Sequence, residues 1–167
     1  MRLVLILLFC LSLSAQEYFV NKVIDGDTIK VRKGKKNYKV RLYGIDAPET
    51  SQNFGAFCTK LLSSKVIGRK VKLDIKAKDK YKRLVAIVYL DDVDINRYMV
   101  QSGCAWSYTY YTNLYKKDEL KAKDELKGLW IDKKAINPYE WRKKHKHKRS
   151  ESEELKKLIK WMVAWKN

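Results

Sequence analysis

A chain of 167 residues has room for one domain and its ends rather than several. With 46% apolar residues it can bury a packed core at that length. No repeat of 20–50 residues is visible, so solenoids and propellers are set aside. Lys and Arg number 37 against 19 acids, a formal charge of +18. That excess points to an anionic partner: nucleic acid, an acidic membrane surface or a polyanionic wall. A charged surface with no specific partner is the plainer alternative.

The first residues read as a secretory signal. Met1-Arg2 precedes an apolar run from Leu3 to Leu11, followed by Ser12-Leu13-Ser14-Ala15. The run is too short to span a bilayer, which takes roughly 20 residues. Small residues at Ser12 and Ser14 favour cleavage after Ser14, so the expected secreted or extracytoplasmic protein starts near Ala15 or Gln16. A retained anchor and a lipid on Cys10 are the less favoured readings. Cys58 and Cys104 then remain, either as one bridge or as two buried thiols.

Three β-prone runs follow, Tyr18–Ile24, Thr28–Arg32 and Tyr38–Tyr43, the last two joined through Gly34. Asp46-Ala47-Pro48-Glu49 breaks the pattern as a loop. Phe54–Val66 has helical spacing, closed by Gly68. Val71, Leu73 and Ile75 alternate with polar residues as in a half-buried strand, and Leu84–Leu90 is a more apolar strand turned by Asp91-Asp92. Asn96 is expected to cap a short helix running through Val100. Tyr115–Lys127 is expected to be a charged helix with Leu120, Ala122 and Leu126 inward. Strands first and helices later suggest a small barrel carrying helices. The end differs in character. Arg142–Arg149 holds six Lys or Arg and two His, and reads as a solvated basic linker. Glu151–Trp165 then places Leu155, Leu158, Ile159, Met162 and Trp165 on one helical face, for docking on the barrel or for a membrane or partner. This tail is expected to raise affinity for polyanions without entering the chemistry.

Four segments carry candidate chemistry: Asp25-Gly26-Asp27-Thr28, Arg41–Glu49, Asp79–Arg83 and Gly128-Leu129-Trp130. Asp27 begins a strand and Asp46 ends one. If those strands pair, the two carboxylates approach and repel unless a cation lies between them. Oxygen ligands favour Ca²⁺ or Mg²⁺ over zinc. Glu49 is close enough to orient or deprotonate a water, and Arg41 and Arg83 offer forked donors for phosphate oxygens. Ordinary turn chemistry is the plainer reading of each motif taken singly. Together they describe a phosphoryl-transfer site.

Asp-Gly-Asp-Thr, Arg-Leu-x-Gly-Ile-Asp-Ala-Pro-Glu, Asp-Lys-Tyr-x-Arg and Gly-Leu-Trp, in that order from about Val20 to Trp130, resemble the staphylococcal nuclease (thermonuclease) family. The resemblance implies an α+β fold, a five-stranded OB-fold barrel with about three packed helices and a C-terminal helical tail. It implies Ca²⁺ held by Asp27, Asp46 and the carbonyl of Ala47. It implies that Glu49 acts on the attacking water, and that Arg41 and Arg83 stabilise the scissile phosphate. It implies a nuclease that cuts DNA and RNA with little sequence preference and leaves 3′-phosphate ends. Lys80 and Tyr81 match positions that contact the nucleotide's phosphate. In Trp106–Tyr115, Tyr108 and Tyr111 are the favoured nucleotide-pocket rings, with Tyr110 close behind. Three departures stand out: Lys82 where the family usually has glycine, a shorter Thr50–Asn53 loop, and the tail after Trp141. The expected organisation is a signal over 1–15, a domain over 16–141 and a basic linker with an amphipathic helix over 142–167, as a monomer. The tail is also a candidate for weak contact with anionic membrane. The competing readings are an OB-fold module that binds nucleic acid without cutting it, and a structural protein held at a lipid surface.

Overall fold

The computed structural model describes residues 16–165, the side chains of 147–152 and 163–165 excepted. The signal-peptide reading of residues 1–15 lies outside the described residues.

β1 (Glu17–Asp25), β2 (Thr28–Lys33) and β3 (Lys36–Leu42) form an antiparallel meander. The Gly34 turn between β2 and β3 has a positive φ of 56°, which glycine adopts at no steric cost. After the two-residue strand β4 (Ile45–Asp46) and helix α1 (Gly55–Val66), β5 (Lys70–Lys78) returns beside β1. β6 (Leu84–Leu90) then pairs antiparallel with β5 and parallel with β3, from Val40↔Leu84 to Leu42↔Ala86. That last pairing closes β3-β2-β1-β5-β6 into a five-stranded barrel and leaves none of the five as an open edge along this stretch. The interior is aliphatic: Val20, Ile29, Val31, Val40, Leu42 and Val88 are buried.

α1 lies on the barrel through Cys58, Leu62 and Val66, spaced four apart and therefore on one helical face. β7 (Val93–Asp94) turns back and pairs antiparallel with the end of β6, and α2 (Ile95–Gln101) follows it. Asp94, not Asn96, caps α2: its carboxylate accepts from the Arg97 N–H at 2.9 Å. Asn96 is wholly buried inside the helix. Its amide donates to the carbonyls of Tyr43 (2.9 Å) and Ala86 (3.1 Å), and its oxygen accepts from the Val88 N–H at 3.1 Å. It ties α2 to the closing seam of the barrel. Cys104 follows α2 and pairs with Cys58 of α1, Cα atoms 5.1 Å apart, so the bridge joins the two helices through the core.

β8 (Trp106–Ser107) pairs with β4, and α3 (Lys116–Asp124) is shorter than its sequence pattern suggests. Leu120 and Leu126 are exposed; the inward positions are Ala122 and Glu119. Glu119 is held by Lys116 at 3.1 Å and Lys123 at 2.9 Å, which is why a carboxylate can be buried there. One turn of 3₁₀ helix, Gly128–Ile131, sets Trp130 edge-on against Trp106, ring centroids 4.9 Å apart.

The end of the chain departs from expectation. In place of a linker and a helix there is one helix of 28 residues, α4 (Pro138–Trp165), crossing the boundary expected at residue 142. Asn137 starts it, its side chain accepting from the Tyr139 N–H at 2.9 Å, and Pro138 occupies the first helical position. Leu155, Leu158, Ile159 and Met162 are exposed rather than docked on the barrel. Among the described residues no helix is long and apolar enough to cross a membrane.

Candidate active site

The β2–β3 hairpin sets Thr28 directly opposite Arg41, and the Leu42 N–H donates to the Asp27 carbonyl at 2.8 Å. Asp27 and Arg41 therefore share one end of the barrel. Asp46 reaches the same place because β4 follows β3 after only two residues, Tyr43 and Gly44. A Cβ on Gly26 would lie 2.7 Å from the Ala47 Cβ, so the glycine lets the Asp25–Thr28 turn press against the β4 loop. The Ala47 N–H donates to Asp27 Oδ2 at 2.7 Å across that contact.

Both aspartates are deeply buried, Asp27 at 4% and Asp46 at 1% exposure. They meet on one guanidinium. Arg41 Nη1 pairs with Asp27 Oδ1, and Nη2 donates to Asp46 Oδ1 at 2.7 Å and to the Ile45 carbonyl at 3.2 Å. Thr28 Oγ1 adds a donor to Asp27 at 3.0 Å. Burial pulls Arg41 below its ordinary pKa, and the neighbouring Asp46 and Asp25 resist that pull. Asp25, at the head of the same turn, accepts from the Asp27 N–H at 3.1 Å. Burial pushes its carboxyl up, against the Thr28 hydrogen bond and Arg41.

Glu49 stands at the mouth of this site, its side chain 38% exposed. The loop that carries it folds back on itself: Gln52 N–H donates to the Glu49 carbonyl at 2.8 Å, and Gly55 N–H to the Gln52 carbonyl at 2.9 Å. A Cβ on Gly55 would fall 1.8 Å from the Glu49 carbonyl oxygen, so only glycine admits the start of α1 here. Gln52 fastens the loop on two sides. Its Oε1 accepts from the Glu49 N–H at 3.2 Å, and its Nε2 donates to the Ile136 carbonyl just before α4.

Arg83 enters one residue before β6, from a turn built on Asp79. Asp79 Oδ1 accepts from the N–H groups of Tyr81 and Arg83, both at 2.9 Å, and Oδ2 accepts from Arg83 Nε at 2.7 Å. Burial would raise the Asp79 carboxyl, but the bonds from the Arg83 backbone and side chain outweigh it and hold the group below the usual carboxylate range. Lys82 sits at φ 62°, the left-handed region. That explains why the family usually has glycine there, and a lysine costs about 1–2 kcal/mol in that conformation.

Tyr108 arrives through the β4–β8 pair, its N–H donating to the Gly44 carbonyl at 2.8 Å. Tyr108 and Tyr111 lie 5.2 Å apart between centroids and line a cleft of about 560 Å³ together with Arg41, Asp46, Tyr81 and Arg83. Burial pushes the Tyr108 phenol up, with Tyr111 and Asp46 adding to it. Tyr110 and Lys80 do not line the cleft; Lys80 lies over the Tyr81 ring at 5.3 Å.

The residue that sequence reasoning missed is Arg142. Expected in a linker outside the chemistry, it reaches into the cleft from the second turn of α4. Its Nη1 and Nη2 donate to Asp46 Oδ1 at 3.2 Å and Oδ2 at 3.0 Å, and Nη1 also donates to Glu49 Oε1 at 2.9 Å. Burial works against its charge, but the bonds to Asp46 and Glu49 win and raise its pKa above the ordinary arginine value. The available signal was Asn137-Pro138, a capping residue followed by proline at a first helical position. Starting the helix there puts Arg142 on it and not in a linker.

The staphylococcal nuclease homologue family model matches residues 39–132, which contain Arg41, Asp46, Glu49, Arg83 and the tyrosines. The chain belongs to the staphylococcal nuclease family. A Haemophilus influenzae protein named "Uncharacterized endonuclease" is 43% identical over 76% of this chain and 73% of its own length. A protein of the same name from Escherichia coli O157:H7 is 36% identical over 74% and 82%. "Micrococcal nuclease" of Shigella flexneri is 34% identical over 77% and 81%. The barrel and its helices are the fold that the sequence motifs implied.

The site suits a hard cation by its donor chemistry. Asp27, Asp46 and the Ala47 carbonyl offer only oxygen, and the two carboxylates already converge on one positive group. Among the described residues no group of three or more His, Cys, Asp or Glu could hold a metal ion.

Proposed function

We propose that this nuclease is an exported, Ca²⁺-dependent phosphodiesterase that cuts DNA and RNA with little sequence preference and leaves 3′-phosphate ends. The observation that carries the reading is the pair of buried aspartates sharing Arg41 at the edge of a cleft lined by Arg83 and two tyrosines, in a chain of this family.

Asp27, Asp46 and the Ala47 carbonyl hold the cation, which when bound supplies Lewis-acid stabilisation of charge on the phosphate. Glu49 takes the proton of the attacking water, from a loop that fixes it three residues beyond Asp46. Arg41 and Arg83 bind the phosphate from neighbouring strands, since Arg41 of β3 pairs with Val85 of β6. Their donors match the oxygens on which charge grows. Tyr108 and Tyr111 give a base an aromatic face, and Tyr81, with Lys80 over its ring, flanks the phosphate side of the cleft. The excess of 18 positive charges gathers the polyanion before any specific contact forms.

Plasmid and RNA cleavage by the mature protein should require Ca²⁺ and stop in excess chelator. Mg²⁺ should support little turnover, because it demands stricter octahedral geometry. Full activity in chelator would remove the cation from the reaction.

Export fits the Met1–Ala15 pattern and the Cys58–Cys104 bridge, since disulfides persist outside the reducing cytoplasm. N-terminal sequencing of the extracytoplasmic fraction should find Ala15 or Gln16 first, and alkylation should find no free thiol in that material. Met1 on soluble cytoplasmic protein with all three cysteines reactive would refute export.

A further inference from the structure

The cleft contains a guanidinium that comes from outside the span matched by the family model. Arg142 is on α4, whereas the match ends at residue 132. It is not a stray surface side chain. Asn137 caps the helix, Gln52 fastens the chain at Ile136, and half-buried Trp141 lines a small cavity shared with Gln52, Phe54 and Trp106. The backbone of residue 142 is thereby fixed at the rim of the site.

Its partners raise a difficulty for the function proposed above. Asp46 Oδ1 accepts from both Arg41 and Arg142, and Oδ2 accepts from Arg142. Glu49 Oε1 accepts from Arg142 as well. A cation that takes Asp46 must displace Arg142 from both carboxylate oxygens, and the same fork holds one of the two Glu49 oxygens. One guanidinium has to leave. Arg41 is the worse candidate: its side chain is 19% exposed and is held in addition by Asp27 and the Ile45 carbonyl. Arg142 is 43% exposed and, among the described residues, its guanidinium is held by Asp46 and Glu49 alone.

The displaced side chain has a destination. Arg142 lines the same cleft as Arg83, Tyr108 and Tyr111, and its helix keeps it there. An entering phosphodiester brings the negative charge and paired oxygens that a guanidinium fork fits. We propose that Arg142 is a ligand of the substrate phosphate, parked on Asp46 and Glu49 until a cation takes those carboxylates. The proposal rests on the Ca²⁺-dependent reading of the site. It sets two guanidiniums against three carboxylates before a cation arrives, one charge short of balance, and makes cation binding the event that frees a third phosphate donor beside Arg41 and Arg83.

The test uses the mature full chain, as wild type, Arg142→Ala and Arg142→Lys. Calorimetry first measures Ca²⁺ binding without nucleotide. It then measures binding of a deoxynucleoside 3′,5′-bisphosphate, which has no phosphodiester to cut, to Ca²⁺-saturated protein. Removing the competitor should make Arg142→Ala bind Ca²⁺ about tenfold more tightly, and losing a charged donor should make it bind the bisphosphate about tenfold more weakly. Arg142→Lys, which keeps the charge but loses the fork, should fall between. If the variants match wild type in either measurement while wild type binds Ca²⁺, the exchange is wrong and the metal reading stands. Weaker Ca²⁺ binding by Arg142→Ala would also overturn it, making Arg142 a support for the carboxylates. A wild type that takes up no Ca²⁺ overturns the metal reading and this inference with it.

Discussion

Glu49→Gln should lower kcat by about 10²–10⁴-fold and leave nucleotide affinity near wild type, the usual cost of losing a positioned base. The change is close to isosteric. An amide oxygen can still accept from Arg142, so the pair seen at 2.9 Å is weakened rather than erased. The loop does not depend on the carboxylate either: its bonds run from the Glu49 N–H to Gln52 Oε1 and from the Gln52 N–H to the Glu49 carbonyl. What the variant loses is the capacity to take a proton. Single-turnover cleavage with Ca²⁺, alongside binding of the bisphosphate, separates these effects. If Glu49 only orients the water, the amide keeps that role and the rate falls little. A wild-type rate would end its assignment as a base.

The barrel was legible because its signals are local. Alternating apolar residues, the Gly34 turn and the Asp91-Asp92 turn each act within a few residues, and period-2 patterning with turns between is what a meander requires. The α1 face was legible for the same reason. The errors arose where distant packing decides. Asn96 looks like a cap, but a buried amide that satisfies three backbone groups of the barrel seam is worth more inside the helix, and Asp94 was there to cap it. Leu120 and Leu126 follow a helical period, yet α3 turns Ala122 and Glu119 inward, because two lysines neutralise Glu119 and the helix ends at Asp124. At the site, Asp27, Asp46, Glu49, Arg41 and Arg83 lie in compact motifs whose spacing already suggests proximity. Arg142 is 96 residues from Asp46. No local pattern reports that contact; only the start of α4 hinted at it. The charge run around Arg142 disguised it further, since six Lys or Arg in eight positions read as one solvated patch.

Arg83→Ala should cost about 10²–10³ in kcat, the scale for removing one donor aimed at developing charge, with a smaller change in nucleotide affinity. Arg83 is the arginine to test because its removal leaves the rest of the site standing. Arg41 is the shared counter-charge of Asp27 and Asp46, so Arg41→Ala would strand two buried carboxylates and confound stability with rate. Arg83 has a different arrangement. Asp79 takes its Nε at 2.7 Å, and among the described residues its two terminal nitrogens make no hydrogen bond, which leaves them for a substrate. Asp79 also accepts from the Tyr81 and Arg83 backbone N–H groups, bonds that the alanine variant keeps, so the turn should survive. The selective loss of kcat follows if the contact strengthens as charge builds on the phosphate, because only interactions stronger in the transition state than in the ground state accelerate the step. Single-turnover rates and bisphosphate affinity, measured for Arg83→Ala and Arg83→Lys, check this. The lysine keeps a charge without the fork and should recover only part of the rate. A variant that loses nucleotide affinity and rate in equal measure would make Arg83 a ground-state binder. A variant with the wild-type rate would leave it as a strut for the Asp79 turn.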